Sequence, residues 1–348
     1  MASEELTSRE RRILEAVIRT YVETAEPAGS RTLSRRFGLG VSPATIRNTM
    51  SDLEEKGFLF HPHTSAGRIP TNKAYRLYVD SLLSYPPFVA VEADRLTEEL
   101  SSGNTGSPIE TILRRAAQTL GVLTQELGVA LGPRLDRSVL RRLELVRVTS
   151  DRLLMVLTLE GGVVRTVFVE VAGEIADTAL TQVATVLNDR LGGLTLGEIR
   201  SSLGQRLRDT TTERGASELL NIFVQEGEQL FEAALPAESQ IVLGAASVLA
   251  EQPEFSAAGR MRRLIELTER PQDLGDAIRK RAQASGVSIT IGSEHSDPRL
   301  EEFTVVTAEY KAGALEGVIG VIGPTRMPYE KVISLVSHTS RLLTDLLD

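Results

Sequence analysis

The chain of 348 residues contains no cysteine and no tryptophan, only four histidines, and 4% aromatic residues. Without cysteine, a disulfide framework, a thiolate nucleophile, an iron–sulfur cluster and a cysteine-ligated zinc site are all excluded. No nucleophile, base and orienting residue recur as a recognisable set, and neither a Walker nor a dinucleotide-binding fingerprint is present. We therefore expect a protein that is not an enzyme and that uses no cofactor and no metal.

Long apolar runs are also missing. The longest, IVLGAASVLA at 241–250, is about half of what a bilayer span requires. The first residues, MASEELTSRERR, are charged and lack the apolar core of a signal peptide. We expect a soluble, cytoplasmic protein that makes no membrane contact. At roughly 100 to 200 residues per domain, its length predicts two or three domains.

Charge is distributed unevenly along the chain. The total is −8, from 39 basic and 47 acidic residues, yet residues 1–90 hold 12 basic and 10 acidic residues. Within 31–76 the balance becomes 8 basic to 3 acidic. Because phosphate contacts depend on local cations rather than on net charge, this segment is suited to binding duplex nucleic acid.

The first 60 residues carry the pattern of three short helices. A capping-box pair, a proline, a glycine and a Ser-Pro dipeptide mark their ends. Three helices with a glycine turn between the second and the third describe a helix-turn-helix. The first helix is predicted to begin at the capping box of Thr7 and to end before Pro27. The second runs from Ser30, its cap, to Gly38, and the third from Ser42, its cap, to Gly57.

The third helix has an apolar stripe formed by Ile46, Met50 and Leu53. At 100° per residue, the opposite face is polar, as in a recognition helix whose first turns reach base edges. The helix N-terminus is also suited to a phosphate. The alternative is an ordinary solvated face. The face and the N-terminus comprise Ser42, Ala44, Thr45, Arg47, Asn48 and Ser51.

A hairpin is predicted directly after this helix. The segment FLFHPHTSAGRIPT alternates apolar and polar residues around a small turn at Ser65, Ala66 and Gly67. A hairpin in this place is the wing of a winged helix, and Arg68 near its tip is expected to reach a phosphate or the minor groove. His61 and His63 share a strand face, but two ligands favour packing over a metal site.

The remainder of the chain mixes helices and strands. Helices are expected at 71–84, over 88–131 with a polar break at 101–108, over most of 174–285, and at 328–347. Strands are expected at 140–173 and at 287–323. Strands from two distant segments suggest one α+β sheet domain that carries an insertion. The turn GPTRMPY, Gly323 to Tyr329, has two interpretations: Arg326 binds an anion, or it pairs with a carboxylate.

Four segments resemble the HrcA family of heat-inducible transcription repressors. They are EPAGSRTL (26–33), VSPATIRNTMSDLEEKGFL (41–59), HPHTSAGRIPTNKAYRLYVD (61–80) and GVIGPTRMPYEKVISLV (320–336). The resemblance implies an α+β multidomain fold with an N-terminal winged helix-turn-helix and a GAF-like antiparallel-sheet domain, interrupted by a mostly helical dimerisation domain. The expected bounds are 1–87 for the winged helix, 88–138 for a helical linker, 139–173 with 239–348 for the GAF-like domain, and 174–238 for the insertion.

The resemblance also implies a function. A homodimer would bind an inverted-repeat operator, CIRCE, on double-stranded DNA, repress chaperone genes, lose activity on heat stress, and fold with help from the chaperonin GroEL. One alternative is a regulator that senses a small molecule through its GAF-like domain; an enzyme fused to a DNA-binding domain would need a catalytic set that we do not find. The expected DNA contacts are Arg35, Arg36, Ser42, Ala44, Thr45, Arg47, Asn48, Ser51, Thr64, Ser65, Arg68 and Lys73.

Overall fold

A computed structural model describes residues 6–63, 66–84, 90–101, 109–133, 135–160, 163–171, 173, 175–208, 214–234, 241–256, 258–279, 286–313 and 315–347. The helices are α1 (Ser8–Thr24), α2 (Ser30–Phe37), α3 (Pro43–Glu55), α4 (Asn72–Ser84), α5 (Ala90–Ser101), α6 (Ile109–Thr124), α7 (Asp177–Leu191), α8 (Leu196–Leu207), α9 (Arg214–Ala234), α10 (Ser247–Ala250), α11 (Ala258–Glu269), α12 (Pro271–Arg279) and α13 (Tyr329–Leu347). The strands are β1 (Leu59–Phe60), β2 (Ile69–Pro70), β3 (Leu127–Leu131), β4 (Leu140–Arg147), β5 (Arg152–Leu159), β6 (Val164–Glu170), β7 (Ile241–Leu243), β8 (Val287–Ile291), β9 (Phe303–Ala312) and β10 (Leu315–Pro324).

The chain divides into two compact units. The first consists of Met1–Ala130, Ile241–Glu309 and Val318–Leu342, and the second of Leu131–Gln240, Tyr310–Gly317 and Leu343–Asp348. None of the helices that the structure describes is both long and apolar enough to cross a bilayer.

The first three helices lie where their local signals predict. Thr7 caps α1 through a capping box with Glu10, and Ser42 caps α3, which begins at Pro43. One boundary differs by a residue: Gly29, not Ser30, is the N-cap of α2, and Ser30 is already helical and buried. The Gly29 cap makes no side-chain hydrogen bond, so the sequence rule that favours serine at a cap misplaced this helix start.

The predicted hairpin is present as the antiparallel pair β1 and β2, in which Leu59 faces Pro70 and Phe60 faces Ile69. An isolated bridge extends this pairing towards the start of α2. There Ala28 donates to the Arg68 carbonyl at 2.9 Å, and Arg68 donates to the Ala28 carbonyl at 3.0 Å. The hairpin is therefore fixed to the chain between α1 and α2.

The first unit also contains a five-stranded sheet with the order β7-β3-β10-β9-β8. The prediction that residues up to 131 are helical, as part of a helical linker, is wrong at its end, because Leu127–Leu131 form strand β3 of this sheet. All five residues of β3 are buried, and a short apolar run of this kind has the same pattern in a buried helix and in a buried strand. The backbone of β3 lies directly against α6, because a Cβ on Gly128 would come within 1.8 Å of the Ala117 carbonyl oxygen.

The second unit is built on a separate three-stranded antiparallel sheet, β4-β5-β6. Helices α7, α8 and α9 cover one face of it, with Leu143, Met155, Val183, Leu187 and Phe223 in a common core. The prediction that these strands share a sheet with those at 287–323 is wrong. Short connections let the three strands hydrogen-bond to one another, and the compact unit that contains their sheet includes Leu131–Gln240.

Candidate nucleic-acid interface

The polar face of α3 is open to solvent. Ile46 and Leu53 are fully buried, whereas Ala44, Arg47 and Asn48 are exposed. Ser51, one turn further along, is half-buried. This is the orientation that the sequence pattern predicts. It leaves the side chains of the first two turns of α3 accessible to a ligand as large as a nucleic-acid duplex.

Two hydroxyl groups define the N-terminus of α3. The Ser42 Oγ accepts a hydrogen bond from the Thr45 backbone N–H at 3.2 Å and lies 3.0 Å from the Thr45 Oγ1. Ser42 is exposed and Thr45 half-buried. The positive end of the helix dipole meets these hydroxyls, which is an arrangement suited to an anionic oxygen.

The last turn of α2 contributes two exposed cations, Arg35 and Arg36. The Arg35 Nε donates to the Arg31 carbonyl at 3.4 Å, so its guanidinium stays at the surface. Arg36 pairs with Glu23 and lies 5.4 Å from the centre of the Phe37 ring. Part of the Arg36 charge is therefore balanced within the protein, whereas that of Arg35 faces solvent.

Arg68 does not project from the hairpin. Its side chain is only 12% exposed and lies along α3, with Nε 2.9 Å from Glu54 Oε2. His61 completes the cluster: its Nδ1–H donates to Glu54 Oε1 at 3.0 Å, and its Nε2 accepts from Arg68. We call Glu54, His61 and Arg68 the hairpin clasp. It holds the hairpin against α3 and occupies both ring nitrogens of His61.

Lys73 is exposed, and its ammonium group also contacts the protein. Its Nζ donates to the Lys56 carbonyl at the end of α3 at 2.8 Å and lies 4.4 Å from the centre of the Phe58 ring. Lys73 thus connects the start of α4 to the end of α3. Thr64 and Ser65, the remaining expected contacts, lie outside the described residues.

One partner in this region is missed by sequence reasoning. Glu54 stands in the sequence only as one acid in a basic segment, although it lies one turn of the same helix beyond Ser51. Gly67, which the sequence places in the predicted turn, has a further role, because a Cβ there would lie 2.3 Å from the Ala28 carbonyl oxygen. A glycine inside a short hairpin is the signal for such a close approach.

The turn after β10 resolves the two interpretations of Arg326. Its Nη2 donates to Glu254 Oε2 at 2.9 Å, and its Nη1 donates to the Val22 carbonyl of α1 at 2.6 Å. Arg326 is therefore paired with a carboxylate. Nearby, a Cβ on Gly323 would meet the buried Glu126 carboxyl at 1.9 Å. Burial raises the pKa of Glu126 well above its usual value, against the smaller opposing effects of Gln252 and Arg326.

Comparison with known proteins gives consistent matches along the chain. The family model described as "HrcA protein C terminal domain" matches residues 110–333. The heat-inducible transcription repressor HrcA of Chlorobium chlorochromatii (strain CaD3) is 36% identical over 344 residues, 99% of this chain and 98% of that protein. The protein of the same name from Chlorobium phaeobacteroides (strain BS1) is 38% identical over 352 residues, 99% of each.

A solved structure has the same fold. The crystal structure of a hypothetical protein at 2.2 Å resolution superimposes with a TM-score of 0.63 over 99% of both chains, at 21% identity. The full-length identities and the family match over residues 110–333 agree with the motifs at both ends of the sequence. The chain belongs to the HrcA family.

Proposed function

We propose that the chain is a sequence-specific repressor of transcription that binds double-stranded DNA through an N-terminal winged helix-turn-helix. The observation that carries this proposal is the exposed polar face of α3 beside a hairpin fixed to it by the hairpin clasp. The named relatives are repressors of transcription, which are regulators and not enzymes.

The side chains on α3 are suited to direct readout in the major groove. Arg47 can donate two hydrogen bonds to guanine, Asn48 can pair with adenine, and the Ala44 methyl can contact a thymine methyl. The α3 N-terminus at Ser42 and Thr45, with Arg35 from α2, would contact the backbone phosphates on either side. Base readout and phosphate contacts together give a specific register on the duplex.

We also propose that the repressor acts as a homodimer on an inverted-repeat operator of the CIRCE type. The outer face of β4-β5-β6 supports this, because Val146, Leu154 and Phe168 face one another across the three strands. Val146 is 49% exposed and Phe168 52% exposed. An exposed apolar row of this kind is typical of the centre of an interface. The Arg152 guanidinium lies 4.5 Å from the centre of the Phe168 ring and borders the row with charge, and a second copy of the same sheet has a matching twist. A two-fold dimer would present two winged domains to two half-sites.

The family resemblance adds a response to heat and help in folding from the chaperonin GroEL. The apparent stability of a dimer depends on the concentration of its subunits. Once warming separates the subunits, each winged domain contacts only one half-site and the gain from binding both half-sites is lost. Operator affinity and dimer content should therefore fall together as temperature rises. Full retention of both well above growth temperature would contradict a direct thermal response.

The proposed function is tested by titrating the full chain against a CIRCE duplex and a duplex of the same composition in scrambled order. We expect Arg47→Ala to weaken binding to the CIRCE duplex by about 1 to 3 kcal/mol, with a smaller effect on the scrambled duplex. Arg262→Ala, which removes an 81% exposed cation from α11, is the matched control and should leave both affinities unchanged. Equal affinity of the unmodified chain for both duplexes would contradict sequence-specific binding.

A further inference from the structure

The carboxyl end of α1 cannot complete its own ladder of hydrogen bonds. The N–H of Glu26, which would continue the helix to the Val22 carbonyl, donates instead to Thr24 Oγ1 at 3.1 Å. Pro27 has no N–H to offer the Glu23 carbonyl. The last turn of α1 also contains no basic side chain that could face these carbonyls. The end of α1 therefore needs a donor from elsewhere in the molecule.

The backbone at this end adds to the need for support. Ala25, the C-cap of α1, has a φ of 56° and lies in the left-handed region. Its N–H donates to the Tyr21 carbonyl at 2.9 Å. Glycine adopts this conformation at little cost, whereas the Cβ of an alanine makes it unfavourable. A contact that holds the end of α1 in place offsets that cost.

Arg326 supplies the missing donor from the turn after β10. Its Nη1 donates to the Val22 carbonyl at 2.6 Å. Its Nε and Nη2 pair with Glu254, Nη2 at 2.9 Å, and its side chain is only 14% exposed. The guanidinium also places a positive charge at the negative end of the α1 dipole. Arg326 therefore caps α1 from the part of the first unit that contains the five-stranded sheet.

The carboxylate that orients Arg326 is fixed to the same sheet. On one side of Glu254, the Gln252 Nε2 donates at 2.6 Å to the Gln125 carbonyl, close to the start of β3. On its other side, the Phe255 ring stacks on Phe303 of β9, with ring centres 6.0 Å apart. Because both neighbours of Glu254 are anchored, the cap resists displacement of the α1 end relative to the sheet.

The capped end of α1 leads directly to the candidate DNA-binding surface. Three residues beyond the C-cap, Ala28 exchanges two backbone hydrogen bonds with Arg68. Arg68 in turn belongs to the hairpin clasp, which lies along α3. A displacement of the α1 end therefore moves the anchor of the hairpin beside the exposed face of α3.

We propose that Arg326 is a positioning residue for DNA binding: by capping α1 it fixes the hairpin beside α3, without contacting the duplex. The inference rests on the proposed DNA-binding function. It makes the five-stranded sheet a determinant of operator affinity, because the turn after β10 carries the residue that holds the winged helix in its binding geometry.

The main test is the full chain with Glu254→Met and Arg326→Met combined. These substitutions remove both charges, so no buried charge is left unpaired and the melting temperature should stay close to that of the unmodified chain. Affinity for the CIRCE duplex should fall about 5- to 20-fold through the lost cap. The slope of log affinity against log salt should stay constant, because no phosphate contact is removed.

Hydrogen exchange without DNA tests the cap itself. The Ala25 and Ala28 amides should exchange faster in the double variant, since their hydrogen bonds depend on the position of the α1 end. Full operator affinity, or unchanged exchange, in the double variant overturns the proposal. If the unmodified chain does not prefer CIRCE to the scrambled duplex, the proposed function fails instead, and the exchange result still shows whether Arg326 caps α1.

Arg326→Lys repeats the test with the charge retained. A lysine ammonium keeps a cation beside Glu254 but lacks the planar fork that serves Glu254 and the Val22 carbonyl together. This variant should also weaken operator binding and speed exchange, by smaller factors, and it decides the proposal if the double variant does not fold. Values equal to those of the unmodified chain would then overturn it.

The control applies the same two substitutions to an ion pair that joins α11 to the residue before β9. There the Arg263 Nη1 lies 2.7 Å from Glu302 Oε1. Arg263→Met combined with Glu302→Met also leaves the net charge unchanged. Operator affinity, salt slope and exchange at Ala25 and Ala28 should all match the unmodified chain. An equal loss of affinity in this control would show that the effect is not specific to the cap and would overturn the proposal.

Discussion

The Arg68 guanidinium is enclosed by Glu54 and His61 at 12% exposure, which makes it a structural group of the hairpin. We expect Arg68→Ala to lower the free energy of unfolding by about 1 to 3 kcal/mol, because it leaves the Glu54 carboxylate without its cation. Operator affinity should fall, yet the slope of log affinity against log salt should stay constant. Denaturant unfolding and salt-dependent anisotropy titrations measure the two effects.

Arg35→Ala is the comparison for Arg68→Ala. Arg35 is exposed, so its removal should leave stability unchanged and reduce the salt slope by about 0.9, the value for one phosphate contact on duplex DNA. If Arg68→Ala reduced the slope by the same amount and left stability intact, Arg68 would contact phosphate directly and the clasp would have no structural role.

Glu126 makes stability depend on pH. Burial raises the pKa of its carboxyl well above the usual 4.5. Because the folded-state pKa is higher than that of the unfolded chain, the neutral carboxyl contributes its stability fully below about pH 4.5. This contribution is lost as the pH rises through the folded-state pKa. Glu126→Gln cannot ionise, so it should melt close to the unmodified chain at pH 5 and at a higher temperature at pH 9.

The measurement for Glu126→Gln is the melting temperature across pH 5 to 9. Glu110→Gln, the same chemical change at an exposed position of α6, is the control and should reproduce the profile of the unmodified chain. A Glu126→Gln profile parallel to the unmodified one would mean that the carboxyl ionises as readily in the folded protein as in the unfolded chain, so that burial does not raise its pKa.

At the scale of elements, the bridge between Ala28 and Arg68 depends on the absence of a side chain at Gly67. The added methyl of Gly67→Ala would lie 2.3 Å from the Ala28 carbonyl oxygen. Neither backbone can move without breaking the bridge, so we expect a destabilisation of about 1 to 3 kcal/mol. Hydrogen exchange of the Ala28 and Arg68 amides should increase, since these two groups donate the bridge hydrogen bonds.

Gly259→Ala is the control for Gly67→Ala. A Cβ at Gly259, in α11, would have no atom within 4 Å. Alanine is the better helix former, so this variant should be as stable as the unmodified chain or slightly more so. Equal stability of Gly67→Ala and Gly259→Ala would show that the hairpin tolerates a wider separation from α2.

The elements that the sequence predicts well are those whose ends are encoded locally. The capping box at Thr7 and the Ser42-Pro43 start act within four residues, so α1 and α3 begin where they are expected. Strand β3 is different, because its buried apolar run is equally compatible with a helix until its neighbours β7 and β10 are known. The exposed face of α3 followed from periodicity, whereas the contact of Arg68 with Glu54 required the hairpin to be placed.

At the scale of the whole molecule, the sequence pattern indicates where strands form but not which strands pair. Strand β5 alternates between buried and more exposed residues, whereas β9 is buried at nearly every position, and neither pattern identifies the partner strand. Because short loops join β4, β5 and β6, these strands are expected to pair with one another, and they form a separate three-stranded sheet. A separate sheet covered by helices on one face leaves its other face for a partner.

The dimer proposal predicts that a charge on this outer face separates the subunits. Phe168→Glu places a carboxylate at one end of the apolar row that it shares with Leu154 and Val146, and burying that charge in an interface is costly. We expect monomers in sedimentation velocity. Operator affinity should fall by about 100-fold or more, because the second half-site contact is no longer intramolecular. The melting temperature extrapolated to low concentration should stay unchanged, since Phe168 is exposed in the single chain.

Ile265→Glu provides the control for the dimer prediction. Ile265 is 48% exposed on α11, in the other unit, so its replacement changes surface charge by the same amount without altering the β4-β5-β6 sheet. This variant should remain dimeric and bind the operator as the unmodified chain does. If Phe168→Glu remained dimeric at micromolar concentration, the subunits would associate through another surface. If it became monomeric yet kept full operator affinity, a single winged domain would be sufficient and operator symmetry would have a different origin.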